Sequence, residues 1–394
     1  MRKIELLSPA GDLERLKYAI MYGADAVYIG GKQLSLRSMA SNFTIDDIRE
    51  GCSFAHQYGS KVYVTCNIVM HQQDTNNLLD YLKALEDAGV DAVIASSPTI
   101  IKAIKEHTKM EAHVSTQQSV VNSKGIEFFT NLKADRVVLG RECSMENIED
   151  ICKHTSTDIE VFIEGAMCAS VSGRCMLSNI MTNRDANRGG CAQSCRWSYD
   201  LFQGDKKVST REYDFAMAST DLSAIDFIPR LIDAGVASLK IEGRMKSLHY
   251  IATVVNAYRR AIDEYYEKGK LENIDEYKRN LKKGENREIS HGFFKGDITP
   301  NEIIYTHNKA QASHEFLGIV LSYNEETQEA TIEMRNIFRG NRDIEVLSPG
   351  KAPFVAHIGD LYNKNGDLID VANHAQEEIT FKIDRPVKKF DLIR

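Results

Sequence analysis

The sequence predicts a (β/α)8 barrel followed by a small all-β barrel, and three observations support this fold. One sequence pattern typical of a β-strand recurs along the first two-thirds of the chain: a turn, a short run of β-branched apolar residues, then a small or polar residue. The segments between these runs place apolar residues three and four positions apart, as amphipathic helices do. From about residue 314 the sequence has no helical periodicity. It instead contains short segments in which apolar and polar residues alternate, separated by turn residues.

Eight apolar runs are predicted as the strands of the first barrel. They occupy residues 4–8, 23–31, 61–69, 89–97, 111–117, 133–142, 159–165 and 235–244. Near-continuous apolar runs are typical of parallel strands that are buried on both faces. Eight strands alternating with helices over roughly 245 residues agree with a (β/α)8 barrel in both number and length. A doubly wound open sheet would alternate in the same way, but the chain lacks its GxGxxG fingerprint, which favours the barrel.

Helices are predicted between these strands. The clearest examples begin at an Asp cap and end at Gly, which are common helix start and stop signals. Predicted helices cover residues 12–23, 74–89, 98–108, 145–155 and 221–235, and a long one over 247–269 closes the barrel.

Length and composition predict a globular protein of two domains. A chain of 394 residues exceeds what one hydrophobic core normally supports. We predict the first barrel over residues 1–269, a charged linker over 270–313 and an all-β domain over 314–394. No run of about 20 apolar residues occurs, and Ser8-Pro9 interrupts the apolar start, so we expect a cytoplasmic protein without a membrane segment. The net charge of −7 argues against a protein that coats nucleic acid with its whole surface.

Four of the eight cysteines lie in one segment, predicted as an insertion after strand seven at about residues 166–218. They are Cys168, Cys175, Cys191 and Cys195, with the spacing C-x6-C-x15-C-x3-C. A zinc ribbon more often shows paired C-x2-C knuckles, whereas iron–sulfur clusters accept long and uneven loops between thiolates. We therefore predict an iron–sulfur site over the barrel mouth, with zinc as the alternative. The same insertion contains a predicted hairpin that turns at Gly204-Asp205.

Polar residues are predicted to follow the strands at the mouth of the barrel, where catalytic groups of this fold lie. The expected substrate-binding residues are Gln117, Arg141, Glu142, Lys240 and Arg244. Glu164 and Glu242, at the ends of two adjacent strands, are the candidates for acid–base or orienting roles. Ion pairing inside the barrel is the alternative role for each of these residues.

The cysteine segment also carries a local positive charge. Between Cys168 and Trp197 the arginines are Arg174, Arg184, Arg188 and Arg196, opposed only by Asp185. They are candidates for contact with RNA phosphates, or they offset the negative charge of a thiolate cluster. Trp197 is the only tryptophan and would either stack on a base or anchor the segment to the core.

Residues 160–168 (EVFIEGAMC), followed by SGRCMLS at 172–178, closely resemble the signature of the collagenase-like peptidases, the unassigned peptidase family thirty-two. Further stretches resemble the same family, so the resemblance covers nearly the whole chain. They are LLSPAGDLERLKYAIMYGADAVYIGG near the start, STQQSVVN at 115–122, GRECS at 140–144, ASTDLSAIDFIPRLIDAGVASLKIEGRMKS at 218–247 and HGFFKGD at 291–297.

The resemblance implies more than proteolysis. Branches of this family act in tRNA uridine hydroxylation, in ribosomal RNA cytidine hydroxylation and in oxygen-independent ubiquinone synthesis. The last of these carries a 4Fe–4S cluster on cysteines of the corresponding region. The stretch GGCAQSCRW and the C-terminal β domain are most similar to the tRNA branch, whose members form 5-hydroxyuridine at the wobble position and depend on prephenate.

On this resemblance, tRNA is the expected partner and a 4Fe–4S cluster the expected cofactor. The implied cluster ligands are the four cysteines of the segment, with Cys66 as a replacement if Cys195 does not serve. Prephenate is a dicarboxylate, and Arg141, Lys240 or Arg244 would hold it through charge-assisted bonds.

Two other functions stay open. One is the peptidase activity of the family name, although the sequence has no H-E-x-x-H and no G-x-S-x-G motif to provide a mechanism. The other is a non-catalytic iron–sulfur scaffold within a hydroxylase complex. Related branches act as pairs of similar subunits, so a hetero-oligomer of this kind is also expected.

Overall fold

The computed structural model describes residues 3–36, 42–210, 215–284, 287–299, 302 and 316–394. The strands of its first part are β1 (Glu5–Pro9), β2 (Ala26–Gly30), β3 (Lys61–Cys66), β4 (Ala92–Ala95), β5 (Glu111–Val114), β6 (Arg136–Val138), β7 (Asp158–Ala166), β8 (Phe202–Gln203), β9 (Lys206–Lys207), β10 (Asp221–Ser223), β11 (Ser238–Ile241) and β12 (Ile289–Ser290). Strands β1 to β7 pair in parallel in chain order, and β11 closes the barrel between β7 and β1. Each predicted barrel strand overlaps one of these eight, so the predicted fold is confirmed.

Helices fill the connections between the barrel strands. They are α1 (Leu13–Met21), α2 (Ile45–Gln57), α3 (Leu78–Asp87), α4 (Pro98–His107), α5 (Ser123–Asn131), α6 (Met145–Lys153), α7 (Leu177–Thr182), α8 (Ile228–Asp233), α9 (Leu248–Lys268) and α10 (Ile274–Gly284). Local signals set their ends: the Asp12 side chain accepts a hydrogen bond from the backbone of Arg15, and α9 stops at Gly269, whose φ is 71°. None of the described helices is long and apolar enough to cross a membrane.

One predicted helix begins later than its sequence indicates. Residues 221–223 form strand β10, which pairs antiparallel with the end of β7, and α8 starts only at Ile228. Asp221 is buried there and forms an ion pair with Lys246 at 3.3 Å, so this strand extends the sheet beside the barrel mouth. The predicted hairpin is present, with β8 and β9 on either side of Gly204.

The second part is a closed antiparallel barrel of six strands. Its strands are β13 (Gly318–Asn324), β14 (Glu329–Met334), β15 (Phe338–Arg339), β16 (Arg342–Leu347), β17 (Phe354–Tyr362), β18 (Leu368–Ile369), β19 (Val371–Ala372), β20 (Glu378–Ile383) and β21 (Leu392–Ile393). The order β16-β21-β13-β14-β20-β17 closes through pairing of β17 with β16, while β18 extends β17 and β15 pairs with β19. Alternating side chains, such as those of Ile332, Val346 and Phe381, fill its interior.

Between the two barrels, α10 packs against α9 through the buried side chains of Tyr277 and Leu281. This helix occupies part of the segment that the sequence predicts as a charged linker over residues 270–313. Residues 285–286, 300–301 and 303–313 of that segment lie outside the described part of the chain.

The small barrel docks on the helices of the large one through polar contacts. Arg394 is buried, and its guanidinium donates to Glu345 at 2.6 Å, to Thr253 of α9 at 3.0 Å and to Asn280 of α10 at 3.2 Å. The Tyr22 hydroxyl, at the end of α1, lies 2.7 Å from the carbonyl oxygen of Leu347 and 2.9 Å from that of Phe390. These bonds fix the small barrel against the side of the large one.

A network of four charged side chains crosses the interior of the large barrel. The Arg136 guanidinium lies 2.6 Å from Glu5 and 3.0 Å from Glu160, and the Lys240 ammonium lies 2.7 Å from the other oxygen of Glu160. Tyr63 and Ser238 donate to Glu5 at 2.6 and 2.8 Å. Two cations and two carboxylates therefore balance inside the barrel, where an unpaired charge would be costly.

We predict that Tyr22→Phe weakens the docking of the two barrels. The change removes the hydroxyl that two buried carbonyl oxygens share, which we expect to cost about 1–3 kcal/mol of unfolding free energy. Chemical denaturation measures this loss. Tyr58→Phe is the matched control, because the Tyr58 ring is exposed, and it should stay within about 0.5 kcal/mol of the parent. Equal stability of the two variants would contradict the docking role of Tyr22.

The second prediction concerns acid stability and Glu160. Burial alone would raise the pKa of this carboxyl, but the charges of Lys240 and Arg136 outweigh burial and bring the pKa to about 2 from the ordinary 4.5. A depressed folded-state pKa contributes stability above pH 4.5, and this stability is lost as the pH falls from about 4.5 towards 2.

Glu160→Gln should therefore lower the unfolding free energy at pH 7 by roughly 3–5 kcal/mol, because it breaks a buried ion pair. It should also make the decline between pH 4.5 and 2 shallower than in the parent. Denaturation midpoints measured across this range test the prediction, and an unchanged slope in the variant would contradict it. The pKa of Glu111 is also about 2, because His113 donates a hydrogen bond to it. Glu111 therefore contributes part of the loss of unfolding free energy in both the parent and the Glu160→Gln variant.

Candidate active site

A cavity of about 230 Å³ opens at the C-terminal ends of the barrel strands. Side chains that point inward from the strands form its base, including those of Tyr28, Thr65, Ile94, Phe162 and Lys240. Its walls come from the loops that follow the strands and include Gln117, Arg141, Glu242 and Arg244. The cysteine segment supplies the roof, with Met167, Cys168, Cys191, Cys195 and Arg196. Seven residues were predicted for catalysis and substrate binding at the mouth. Four of them line the walls of the cavity, and a fifth, Lys240, lies at its base.

Lys240 is buried at the base of the cavity. Besides the ion pair with Glu160, its Nζ lies 4.6 Å from the centre of the Tyr28 ring and 5.4 Å from that of Phe162. Burial lowers the pKa of the Lys240 ammonium, and this effect exceeds the opposing attraction of Glu160. The cavity therefore has at its base an amine that is more easily deprotonated than an ordinary lysine.

Two arginines extend from the walls. The Arg141 guanidinium stacks on the Phe162 ring, with its Cζ 3.8 Å from the ring centre. Arg244 is buried and donates to the hydroxyls of Ser35 and Thr65 at 2.9 and 3.0 Å. Among the described residues that line the cavity, Arg141, Arg196, Lys240 and Arg244 are cationic and Glu242 is the single carboxylate. Since Lys240 is balanced by Glu160 beneath it, the remaining excess of positive charge suits an anionic ligand.

Two of the predicted carboxylates lie elsewhere. Glu164 does not line the cavity: it is buried on the outer side of the barrel, where it accepts a hydrogen bond of 2.6 Å from Tyr258 of α9. The reason is a register shift between Lys240 and Ile241 in the pairing of β11 with β7, which changes the side to which Glu164 points. The structure therefore corrects the expectation that Glu164 and Glu242 act together at the mouth.

Glu142 does not line the cavity and instead forms hydrogen bonds with Ser172. Its carboxylate accepts from the backbone N–H of Ser172 at 2.7 Å and from the Ser172 hydroxyl at 3.1 Å. Ser172 itself has a positive φ of 47°, so this bonding holds an uncommon backbone conformation at the start of the roof. Glu142 therefore fixes the cysteine segment, whereas it was expected to bind substrate.

Three of the four cysteines of the segment, Cys168, Cys191 and Cys195, line the cavity, whereas Cys175 does not. Cys168 and Cys191 are exposed, and Cys175 and Cys195 are half-buried. Backbone N–H groups point at two of the sulfurs: Ser170 at 3.5 Å from Cys168 and Leu177 at 3.3 Å from Cys175. Burial raises the pKa of Cys195, the charge of Arg196 opposes this rise, and the charges of Cys168, Cys191 and Cys175 add to it.

The donor chemistry of this neighbourhood suits a thiolate-bound cluster, because four cysteines and N–H groups directed at sulfur are its usual surroundings. Across the described ranges, however, no three Cys, His, Asp or Glu side chains are already arranged to hold a metal ion. Cys66, the possible replacement ligand, is fully buried away from the cavity lining, and burial raises its pKa to about 12. The roof thus brings the predicted donors together without placing them in coordinating positions.

An ion pair attaches this roof to the barrel. Arg188 lies 2.5 Å from Asp74, in the loop before α3, and also donates to the carbonyl oxygen of Val69 at 2.7 Å. The hydrogen bond from Arg188 holds the pKa of Asp74 at about 2. Arg174 forms a second attachment, donating from Nε to the carbonyl oxygen of Gln117 at 2.7 Å. Two of the four arginines proposed for RNA contact are therefore engaged within the protein.

The other predicted RNA contacts have different surroundings. Arg184 and Trp197 are exposed on the outer side of the cysteine segment, and Arg196 is half-buried where it lines the cavity. Sequence reasoning missed the aromatic base of the site, Tyr28 and Phe162, although the strict alternation of side chains along a strand is the signal that places them on the inner face.

We predict that Arg188→Ala loosens the roof. The variant loses the ion pair with Asp74 and the bond to Val69, so peptides from residues 167–196 should exchange amide hydrogens faster in hydrogen–deuterium exchange. Asp74→Asn should produce a weaker change in the same peptides. Arg184→Ala, in the same segment but exposed, is the matched control and should exchange like the parent. Parent-like exchange in Arg188→Ala would show that this ion pair does not hold the roof.

Comparison with known proteins identifies the family to which the chain belongs. The profile of peptidase family U32 matches residues 11–303, and that of the peptidase family U32 C-terminal domain matches residues 312–394. A tRNA hydroxylation protein P1 from Bacillus subtilis is 44% identical over 402 aligned residues, which cover 100% of this chain and 95% of that protein. A 23S rRNA 5-hydroxycytidine synthase from Escherichia coli is 38% identical, covering 67% of this chain and 40% of that protein. A collagenase from Porphyromonas gingivalis is 36% identical over 66% of each. The chain therefore belongs to peptidase family U32.

Proposed function

We propose that this protein hydroxylates the wobble uridine of tRNA to 5-hydroxyuridine, with prephenate as co-substrate and a 4Fe–4S cluster as cofactor. The observation that carries the proposal is a cationic cavity lined by three cysteines of the segment, in a chain similar along its full length to a tRNA hydroxylation protein. A relative named for rRNA 5-hydroxycytidine synthesis adds support for RNA hydroxylation.

The cluster would be held by Cys168, Cys175, Cys191 and Cys195, three of which line the cavity. When bound, it would supply one-electron redox chemistry at the roof of the cavity. Cys168 and Cys191 are exposed, so both thiols are accessible from solvent for cluster binding. The nearby arginines would offset the negative charge of the four thiolates.

The cavity would bind prephenate through its carboxylates. Arg141 presents its guanidinium on the wall, and guanidinium groups bind carboxylates with two parallel hydrogen bonds. Arg244 donates to Ser35, Thr65 and Leu36 and would attract a carboxylate through its positive charge. Such charge-assisted bonds are stronger in a partly enclosed cavity than at an open surface, because the local dielectric constant is lower. Glu242, the carboxylate that lines the wall, would orient the ligand or the base through a hydrogen bond.

The RNA would approach from the outer side of the roof. A wobble base lies in a single-stranded loop, so turning it into a cavity costs less than in a duplex. Arg184 and Arg196 would contact phosphates, and the exposed Trp197 ring would stack on a neighbouring base. Arg188 and Arg174, which hold the roof, would contribute to binding only indirectly.

Peptidase activity has less support from this site. No histidine is among the described residues that line the cavity, so Cys168 and Cys191 have no imidazole base beside them there. A structural scaffold paired with a similar catalytic subunit is the other possibility, and the experiment below separates it from catalysis.

The decisive measurement is mass spectrometry of tRNA nucleosides from a strain that lacks the gene. We expect 5-hydroxyuridine and its derivatives to disappear, and to return with the parent gene but not with Cys168→Ser or Cys191→Ser. Cys152→Ser, far from the segment in α6, is the matched control and should restore them fully. Unchanged 5-hydroxyuridine in the deletion strain would reject the proposal.

Anaerobic purification with iron and sulfide analysis tests the cluster separately. The parent should contain iron and sulfide and absorb near ~400 nm, as thiolate-bound clusters do, and the two serine variants should lose both. Stoichiometric zinc in place of iron would contradict the proposed cofactor. Hydroxylation that requires a second, similar subunit and survives the serine changes in this chain would indicate the scaffold role.

A further inference from the structure

We propose that Lys240 forms a covalent iminium bond with the ketone of an α-keto acid bound in the barrel cavity. The chain then uses this lysine to hold and activate a keto acid, in addition to any role of the residue in the ionic network. The inference rests on the proposed function only in that the keto acid is the co-substrate of the same cavity.

The position of Lys240 is the first support. The side chain extends inward from β11, lines the cavity and is almost completely buried, with an exposed fraction of 4%. The ring centres of Tyr28 and Phe162 lie 4.6 and 5.4 Å from its Nζ. An amine at the base of an aromatic-walled cavity loses hydration, which favours its neutral, nucleophilic form.

A carboxylate site next to this amine is the second support. Arg141 stacks on the same Phe162 ring that neighbours Lys240, with its Cζ 3.8 Å from the ring centre. In an α-keto acid the ketone carbon is bonded directly to the carboxylate. A ligand whose carboxylate pairs with Arg141 would therefore present its ketone towards the amine.

Glu160 stabilises the positive charge of the product, because its Oε1 lies 2.7 Å from Nζ. The ammonium first loses one proton to solvent, and the neutral amine attacks the ketone carbon. The carbon–oxygen double bond becomes a hydroxyl group as one proton moves from nitrogen to oxygen, and this hydroxyl takes up a proton from solvent and leaves as water. A carbon–nitrogen double bond remains, and the iminium keeps one N–H and the positive charge opposite Glu160. The sum is an ammonium and a ketone giving an iminium and water, without change in net charge.

Borohydride trapping on the complete purified protein tests this inference without RNA. Sodium borohydride is added in the presence of pyruvate, phenylpyruvate or prephenate, and the peptides are mapped by mass spectrometry. We expect one reduced keto acid on the peptide that contains Lys240, dependent on the keto acid and absent with borohydride alone. Lys283 is the internal control, because it is also paired with a carboxylate, Glu345 at 2.6 Å, but lies at the junction of the two barrels.

Two variants sharpen the test. Lys240→Arg keeps a positive charge opposite Glu160 but has no primary amine, so the trapped mass should be lost while circular dichroism stays parent-like. Arg141→Gln keeps the lysine and should require more keto acid for half-maximal trapping. Parent protein that shows no adduct with any of the three acids, or labels Lys240 no more than Lys283, overturns the inference.

This outcome is distinguishable from failure of the proposed function. A protein that restores 5-hydroxyuridine in cells but gives no adduct refutes the covalent role of Lys240 alone. An adduct at Lys240 in a protein whose deletion leaves tRNA nucleosides unchanged supports the lysine and rejects the RNA substrate.

Discussion

The barrel depends on the ionic network that joins β1, β6, β7 and β11 through Glu5, Arg136, Glu160 and Lys240. Barrels of this type are usually filled by branched apolar side chains, and burying charge instead carries a desolvation cost. The cost is offset because each carboxylate is held by a cation and Glu5 also accepts from Tyr63 and Ser238. Lys240 belongs both to this network and to the cavity base, so the same contacts that order the core also fix the position of a reactive amine.

The roof has a different basis from the barrel below it. Short helical turns and residues with positive φ, including Ser172, Asn183 and Gln193, form most of the cysteine segment. Such a segment buries little apolar surface of its own, and side-chain bonds to the barrel hold it: Glu142 to Ser172 and Arg188 to Asp74. Residues that the sequence indicated as ligand contacts therefore act as attachments, which is common where a functional loop lies on a rigid scaffold.

The sequence predicted the eight strands because each is an apolar run buried on both faces, and this pattern is local. It also placed Arg141, Lys240, Glu242 and Arg244 at the cavity, since their positions follow directly from the strand ends. It did not predict the orientation of Glu164, because a register shift between β7 and β11 has no signature in residue types. Nor did it reveal the partner of Arg188, because Asp74 is 114 positions away and the contact exists only once the barrel has closed.

The attachments of the roof have a consequence for how the protein matures. Glu142 and Arg188 hold the cysteine segment on the barrel through oxygen and nitrogen atoms alone, and no sulfur takes part in either contact. These two contacts therefore do not depend on a bond to sulfur, and Cys168 and Cys191 stay accessible from outside. The proposed cluster would then be added to a segment that is already in place, in contrast to small zinc domains, in which the ion itself drives folding.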